Sequence, residues 1–193
     1  MPQSKKAAFV RHVDPDVFIR KERIARPWMR HSVALLIISP RVDQVVLALP
    51  QKAADRGASH VRVVPQRGLS RTDTVTTVAA HMARGLLTLP VSHKELVYLG
   101  SGRGNAYRGQ TPVKYGKGIH WVGLRRHQTA RVFDPDCEQF QFAHWCSANH
   151  LLAMDTHAMS ERKYILTLQA LTAFNALGAE GKIIRKARQR LAA

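Results

Sequence analysis

The stretch from 63 to 87 constrains the fold of this chain more than any other. Two apolar residues lead into Pro65, a short polar segment turns at Gly68, and a run with helical spacing follows. Thr72 or Asp73 is suited to cap the helix, because a side-chain oxygen there accepts from the N–H groups of the first turn. The stretch therefore predicts a strand, a loop and a helix. The predicted helix has one apolar face, made of Val75, Val78, Ala79, Met82, Ala83 and Leu86.

The segment Val63-Val64-Pro65-Gln66-Arg67-Gly68 and the helix after it resemble the Nudix box of the Nudix hydrolase superfamily. The lead-in is most similar to that of bacterial RNA pyrophosphohydrolases, in which a Pro-Gln-Gly-Gly segment enters the loop. The resemblance covers about residues 30–174 and implies a Nudix-type α/β/α sandwich around a mixed β-sheet. It also implies a hydrolase of nucleoside diphosphate linkages, in which glutamates on one helix face hold Mg²⁺ or Mn²⁺.

The glutamates of the Nudix box have no counterpart in this chain. With Pro65-Gln66 aligned, the first glycine of the box falls on Arg67, its first glutamate on Asp73 and its arginine on His81. The three later glutamates fall on Met82, Gly85 and Leu86. A register shifted by one residue uses Thr74, Met82, Ala83, Leu86 and Leu87 instead. A lone Asp73 cannot hold a catalytic divalent cation, so we assign no metal site and expect no cofactor.

The net charge indicates the kind of partner. The chain of 193 residues has 30 Lys and Arg against 13 Asp and Glu, a formal net charge of +17. Such an excess favours association with polyanions, because contacts with phosphates release condensed counterions. A basic surface that serves only solubility is the alternative. The length and an apolar content of 45% fit one globular domain with a full core.

The predicted organisation has three parts: a basic N-terminal arm at 1–30, a Nudix-like domain at 31–177 and a basic helical tail at 178–193. The arm is expected to be partly irregular, with Pro27-Trp28-Met29 packed where the first core strand begins. His31–Ser39 and Gln44–Leu49 predict a β-hairpin. Further strands are predicted at 95–100, 102–107, 119–125 and 140–145, a short helix at 147–154 and a helix capped by Ser160.

The sequence gives no sign of export or of a membrane span. The longest apolar run, Val33–Ile38, is far too short to cross a bilayer. The basic N-terminal residues are followed by no apolar stretch, unlike a secretory signal. Cys137 and Cys146 form neither a disulfide framework nor a Cys-x-x-Cys pair, which suits a reducing compartment. We therefore expect a cytoplasmic protein without a membrane partner.

Cations, glycines and tyrosines cluster in the central part of the chain. No acidic residue occurs from 96 to 133, and the glycine-rich segment 100–118 suits phosphate contact with base stacking. A long hairpin loop whose tyrosines pack on the sheet explains the same pattern. The candidate residues for binding nucleotide or RNA are Arg67, Arg71, His81, Arg103, Arg108, Lys114, Lys117, Tyr107 and Tyr115.

Acidic residues that could support hydrolysis are few. Asp73 is one candidate, and Glu138, near Asp134 and Asp136, is the other. A carboxylate from a late loop contributes to catalysis in some Nudix enzymes, so Mg²⁺ or Mn²⁺ enters only under this alternative. A surface turn is the favoured explanation of the Asp-Pro-Asp segment, since these residues favour turns without any ligand. His144, Cys146, His150 and His157 match no zinc-site spacing.

Three functional hypotheses follow from the residues and the resemblance. The first is a Nudix-fold protein that has lost metal-dependent hydrolysis and binds nucleotide or RNA through a basic cleft. The second is a divergent Nudix hydrolase of a nucleoside diphosphate linkage. The third is a basic scaffold or regulatory subunit with a protein partner, which would co-purify in stoichiometric amount.

Overall fold

The computed structural model describes residues 9–41, 43–51, 55, 57, 63–86, 90–103, 107–108, 114–127, 140–147 and 161–175. The strands in this part of the chain are β1 (Phe9–Val10), β2 (Arg30–Ile38), β3 (Gln44–Pro50), β4 (Gln66–Gly68), β5 (Val97–Arg103), β6 (Tyr107–Arg108), β7 (Lys114–Tyr115), β8 (Lys117–Arg125) and β9 (Phe140–Ser147). The α-helices are α1 (Pro15–Ala25), α2 (Val75–Leu86) and α3 (Glu161–Asn175), and a 3-10 turn covers His93–Glu95. No helix in the described ranges is long and apolar enough to span a membrane.

Seven of these strands form one mixed sheet. Six lie in the order β1-β5-β8-β2-β3-β9, and β4 also pairs with β2. The central pair, β2 and β8, is parallel over its whole length, from Arg30 opposite Lys117 to Ile38 opposite Arg125. The other pairs in this sheet are antiparallel. Strands β6 and β7 form a separate ribbon.

The side chains of β2 alternate between two apolar layers, as the pleat of a strand requires. Val33, Leu35 and Ile37 pack with α2 and with Ile19 of α1. Ala34, Leu36 and Ile38 pack on the other face with α3, where Trp121 and Phe174 are fully buried. The predicted α/β/α sandwich around a mixed sheet is therefore confirmed.

The helix predicted from the box is present, and all six of its predicted apolar residues are buried. Its cap differs from the prediction. Thr74 Oγ1 accepts from the N–H of Thr77 at 3.1 Å, and Asp16 Oδ1 of α1 accepts from the N–H of Val75 at 2.9 Å. Asp73 accepts from the N–H of Ser70 at 3.3 Å instead. The predicted cap at Thr72 or Asp73 was wrong, because α1 supplies a carboxylate from outside the box.

The segment before the helix also differs. Gln66–Gly68, predicted as a loop, forms β4, because its backbone pairs with β2 from Ser32 to Ala34. Of the strand predicted before Pro65, the structure shows one bridge between Val63 and Ala48. Strand β5 runs through Arg103 without the predicted break, since it pairs along β8.

Residues 9–30, for which the sequence predicts neither a strand nor a helix, contain β1 and α1. Asp14 caps α1 by accepting from the N–H groups of Asp16 and Val17, and Pro15 occupies the first turn. Met29 is buried as predicted, whereas Trp28 keeps 49% of its surface exposed. Of the predicted helix at 147–154 only Ser147 is described, as the last residue of β9. The cap at Ser160, the acidic cluster at 134–138 and the tail at 178–193 lie outside the described residues.

A candidate anion-binding pocket

A pocket of about 900 Å³ lies between α1, the first residues of β2 and the loop that follows β4. Its cationic lining residues are Arg20, Arg23, Arg30 and Arg71. Its apolar wall consists of Ile24, Pro27, Met29 and Leu69. No lining residue in the described part of the chain is acidic. The pocket therefore combines positive charge with an apolar surface.

Arg23 shapes the loop side of the pocket. Its Nη2 donates to the carbonyl oxygens of Leu69 and Ser70 at 2.9 and 2.7 Å, and its Nη1 donates to that of Arg71 at 3.3 Å. Burial lowers the pKa of Arg23, and the neighbouring charge of Arg71 adds to this effect. The guanidinium remains charged at neutral pH. Arg23 thus holds three consecutive carbonyls, while Arg20 and Arg71 reach the pocket as exposed side chains.

A chain of buried polar groups lies beneath the pocket. Nδ1 of His31, a lining residue, is 3.1 Å from Nε2 of His120, and Nδ1 of His120 is 3.4 Å from the Tyr98 hydroxyl. Nε2 of His31 lies 3.8 Å from a carboxylate oxygen of Glu22. The favourable arrangement has Tyr98 donating to His120 and His120 donating to His31. In this arrangement Nε2 of His31 carries a hydrogen, so an N–H group and not a lone pair faces the carboxylate of Glu22.

The imidazoles of His31 and His120 are both neutral at physiological pH. Burial, with the neighbouring charge of Arg23 as the second cause, lowers the pKa of His31 to about 4. Burial also lowers the pKa of His120 to about 3, with His31 as the next cause. In this arrangement one neutral ring can donate a hydrogen bond to the other, which two charged rings could not do. The pair therefore supports the floor of the pocket and adds no charge to it.

Glu22 connects α1 to the sheet. Its Oε1 accepts from Arg26 and from Arg103, each at 3.3 Å. Burial raises the pKa of Glu22, and Arg26 and His12 oppose that shift. Arg103, a predicted phosphate ligand, is therefore paired with a carboxylate of its own chain.

Of the predicted binding residues whose side chains are described, only Arg71 lines the pocket. Arg67 is half-buried in β4, His81 is exposed on α2, and Lys117 is half-buried at the start of β8, where burial lowers its pKa. For Tyr107, Arg108, Lys114 and Tyr115 only the backbone of β6 and β7 is described. Glu138 lies outside the described residues.

Three lining arginines were absent from the predicted set: Arg20, Arg23 and Arg30. Arg20 and Arg23 are three residues apart, so they share a face once the segment is helical. That spacing would have identified them if α1 had been recognised from Asp14 and Pro15.

The positions that carry glutamates in the Nudix box do not fit a divalent cation here. Met82 and Leu86 are buried in the core, and Gly85 has no side chain. The carbonyl oxygens of the loop after β4 already accept from Arg23. Asp73 accepts from Ser70, which lowers the pKa of its carboxyl group. The described residues contain no group of three His, Cys, Asp or Glu arranged around a possible metal ion.

No family model matches the sequence, and no curated protein matches it significantly. A Nudix hydrolase from Nitrosomonas europaea has a similar structure, with a TM-score of 0.51 and 16% identity over 80% of this chain and 94% of that chain. The E. coli ORF135 protein has a TM-score of 0.49 and 16% identity, with coverages of 79% and 95%. A C. elegans Ap4A hydrolase has a TM-score of 0.49 and 12% identity, with coverages of 76% and 98%. The similarity to the Nitrosomonas europaea hydrolase and the sheet topology show that this chain has the Nudix fold.

Proposed function

We propose that this Nudix-fold protein binds the phosphate groups of a nucleotide or an RNA, and that it has lost metal-dependent hydrolysis. The observation that carries the proposal is the pocket, whose described lining residues include four arginines and an apolar wall but no acidic residue. Guanidinium groups bind phosphate through paired N–H donors and stay charged at every physiological pH. The volume of about 900 Å³ lies within the range of small-ligand pockets.

The arginines take different parts in this proposal. Arg23 is committed to three carbonyl oxygens, so it fixes the loop and contributes a positive field. Arg20 on α1 and Arg71 on the loop after β4 are both exposed and line the same pocket, so both are available to contact a phosphate. Ile24 and Pro27 provide the apolar surface on which a base or ribose can rest.

The loss of hydrolysis is supported by the residues at the box positions. A divalent cation requires several hard oxygen ligands, and at the three later glutamate positions the side chains here are buried and apolar or absent. Direct neutralisation of phosphate by guanidinium groups needs no metal. The two parts of the proposal therefore support each other.

The test is calorimetry on nuclease-treated full-length protein with ATP and with a short 5′-triphosphate RNA. We expect binding that is equal in Mg²⁺ and in EDTA and that weakens steeply with added salt. Arg71→Met should weaken binding about tenfold, as expected for one charge-assisted contact. Arg84→Met, an equal charge change at an exposed position of α2 outside the pocket, should change it less than about twofold.

Two results would overturn the proposal. One is an affinity that responds equally to Arg71→Met and Arg84→Met, since the pocket would then contribute nothing specific. The other is release of phosphate or pyrophosphate that depends on Mg²⁺ or Mn²⁺ and is lost in Asp73→Asn.

A further inference from the structure

The end of α1 exposes two large apolar side chains beside the pocket. Ile24 is 83% exposed and Trp28 is 49% exposed. Trp28 lies between Pro27 and Met29 in the chain, and both neighbours line the pocket, so the backbone of Trp28 is at the pocket rim. The neighbouring Met29 is buried and approaches Gly116 closely enough that a Cβ there would clash with its sulfur atom. Trp28 therefore remains at the surface although an apolar core begins at the next residue.

The carboxylates of α1 and its cap have partners within the protein, whereas several of its cations are exposed. The carboxylates are engaged: Asp14 caps the helix, Asp16 accepts from the N–H of Val75, and Glu22 pairs with Arg103. The exposed residues from 15 to 28 are cationic or apolar: Arg20, Lys21, Ile24, Ala25, Pro27 and Trp28. A surface of this kind suits a ligand that alternates negative charges with flat apolar groups.

We propose that the ligand is a single-stranded nucleic acid, with one phosphate in the arginine pocket and a base stacked on the indole of Trp28. The inference rests on the proposed function, because it assumes that the pocket binds phosphate. Consecutive phosphates and bases of a single strand match neighbouring cationic and aromatic groups, and unstacked bases can leave the strand to stack on an aromatic ring. Bases inside a duplex are already stacked on each other and cannot reach Trp28.

A single strand and a free nucleotide make different demands on this surface. A free nucleotide can be held by the pocket arginines and the apolar wall without Trp28. A strand has additional bases and phosphates outside the pocket, where Trp28 and Lys21 are exposed. The contribution of Trp28 therefore distinguishes the two ligands.

The experiment compares three probes on the full-length protein: a ten-residue uridine RNA without a 5′-phosphate, UTP, and a ten-base-pair RNA duplex. Binding is followed by fluorescence anisotropy of labelled RNA and by calorimetry for UTP. We expect Trp28→Ala to weaken binding of the single strand about tenfold, as base stacking on one aromatic ring predicts. Binding of UTP should change less than about twofold, and Trp28→Phe should keep most of the affinity for the single strand. Val13→Ala, which removes an exposed apolar side chain outside the pocket, is the control.

The outcomes separate this inference from the proposed function. Loss of both ligands in Arg71→Met, with loss of the single strand alone in Trp28→Ala, supports both. Normal affinity for the single strand in Trp28→Ala, with weakened binding in Arg71→Met, refutes the role of Trp28 and leaves the pocket intact. Equal binding of duplex and single strand also refutes the inference. If Trp28→Ala does not fold, quenching of tryptophan fluorescence decides, since RNA should quench the unsubstituted protein much more than Trp28→Phe.

Discussion

Lowering the pH from 7 to 5 should destabilise this fold, because two histidines are buried as neutral rings. His31 and His120 are 4% and 0% exposed and lie within hydrogen-bond distance of each other. Burial lowers their pKa values to about 4 and about 3, from 6.5 in an unfolded chain. Below pH 6.5 the unfolded chain therefore binds more protons than the folded one. Stability is complete above pH 6.5 and is lost as the pH falls towards the folded pKa values.

The magnitude follows from the difference in bound protons. Between pH 7 and pH 5 each histidine contributes about 1.9 kcal/mol, so the pair contributes roughly 4 kcal/mol. Glu22 acts in the opposite direction, because burial raises the pKa of its carboxyl group and protonation then favours the folded state. We expect the histidine pair to dominate, so that the net loss is a large fraction of the stability of an ordinary domain.

Urea unfolding at pH 7, 6 and 5, followed by far-ultraviolet circular dichroism, measures this loss. The slope of the free energy of unfolding against urea concentration should be the same at each pH, so that a shift in the unfolding midpoint reports a change in stability. His120→Gln keeps a donor and an acceptor between Tyr98 and His31 but removes one titrating ring, and it should reduce the pH dependence by about half. A loss below about 1 kcal/mol, or an unchanged pH dependence in His120→Gln, would refute the reasoning.

Three further predictions concern stability and are tested by urea or thermal unfolding. Arg23→Met should lower the free energy of unfolding by about 2 kcal/mol, because it removes three charge-assisted hydrogen bonds, two exposed and one partly buried. Arg20→Met on the same helix should cost less than about 0.5 kcal/mol, and equal losses would contradict the role of Arg23. Leu86→Glu restores a glutamate of the Nudix box at a site that is 1% exposed. It should lower the free energy of unfolding by about 3 kcal/mol or more, because a carboxylate is buried without a partner. A gain of stability with Mg²⁺ would count against this. Gly118→Ala should cost about 1–3 kcal/mol, because its Cβ would lie 2.8 Å from a nitrogen of the buried imidazole opposite, whereas Gly68→Ala meets no atom within 4 Å and should not show this overpacking loss.

Much of the fold could be predicted from local patterns. The apolar spacing of α2 and the continuous apolar run of β2 identify both elements within one or two residues. Helix α1 was missed because its cationic composition concealed the start signal of Asp14 and Pro15, and Ile19 is its only buried residue. A helix that buries one apolar residue gives only a weak periodic pattern in the sequence.

The candidate site was harder to predict than the fold. Arg71 was identified, but its partners on α1 are about fifty residues away in the chain. The hydrogen bond from Arg23 to the carbonyl of Arg71 spans 48 residues. The contact between Arg23 and Arg71 depends on how α1 packs against the loop after β4. No residue spacing within either segment encodes that packing.

The parallel pairing of β2 with β8 has a consequence for synthesis of the chain. Each residue of β2 pairs with the residue 87 positions later, as Ile38 does with Arg125. At typical elongation rates of 5–20 residues per second, a ribosome needs roughly 4–17 s to supply that partner. During this interval a nascent strand of eight consecutive buried residues, from His31 to Ile38, lacks its central neighbour. The hairpin with β3 can form early, but the middle of the sheet closes late, so chaperone binding to β2 should be concentrated in this interval.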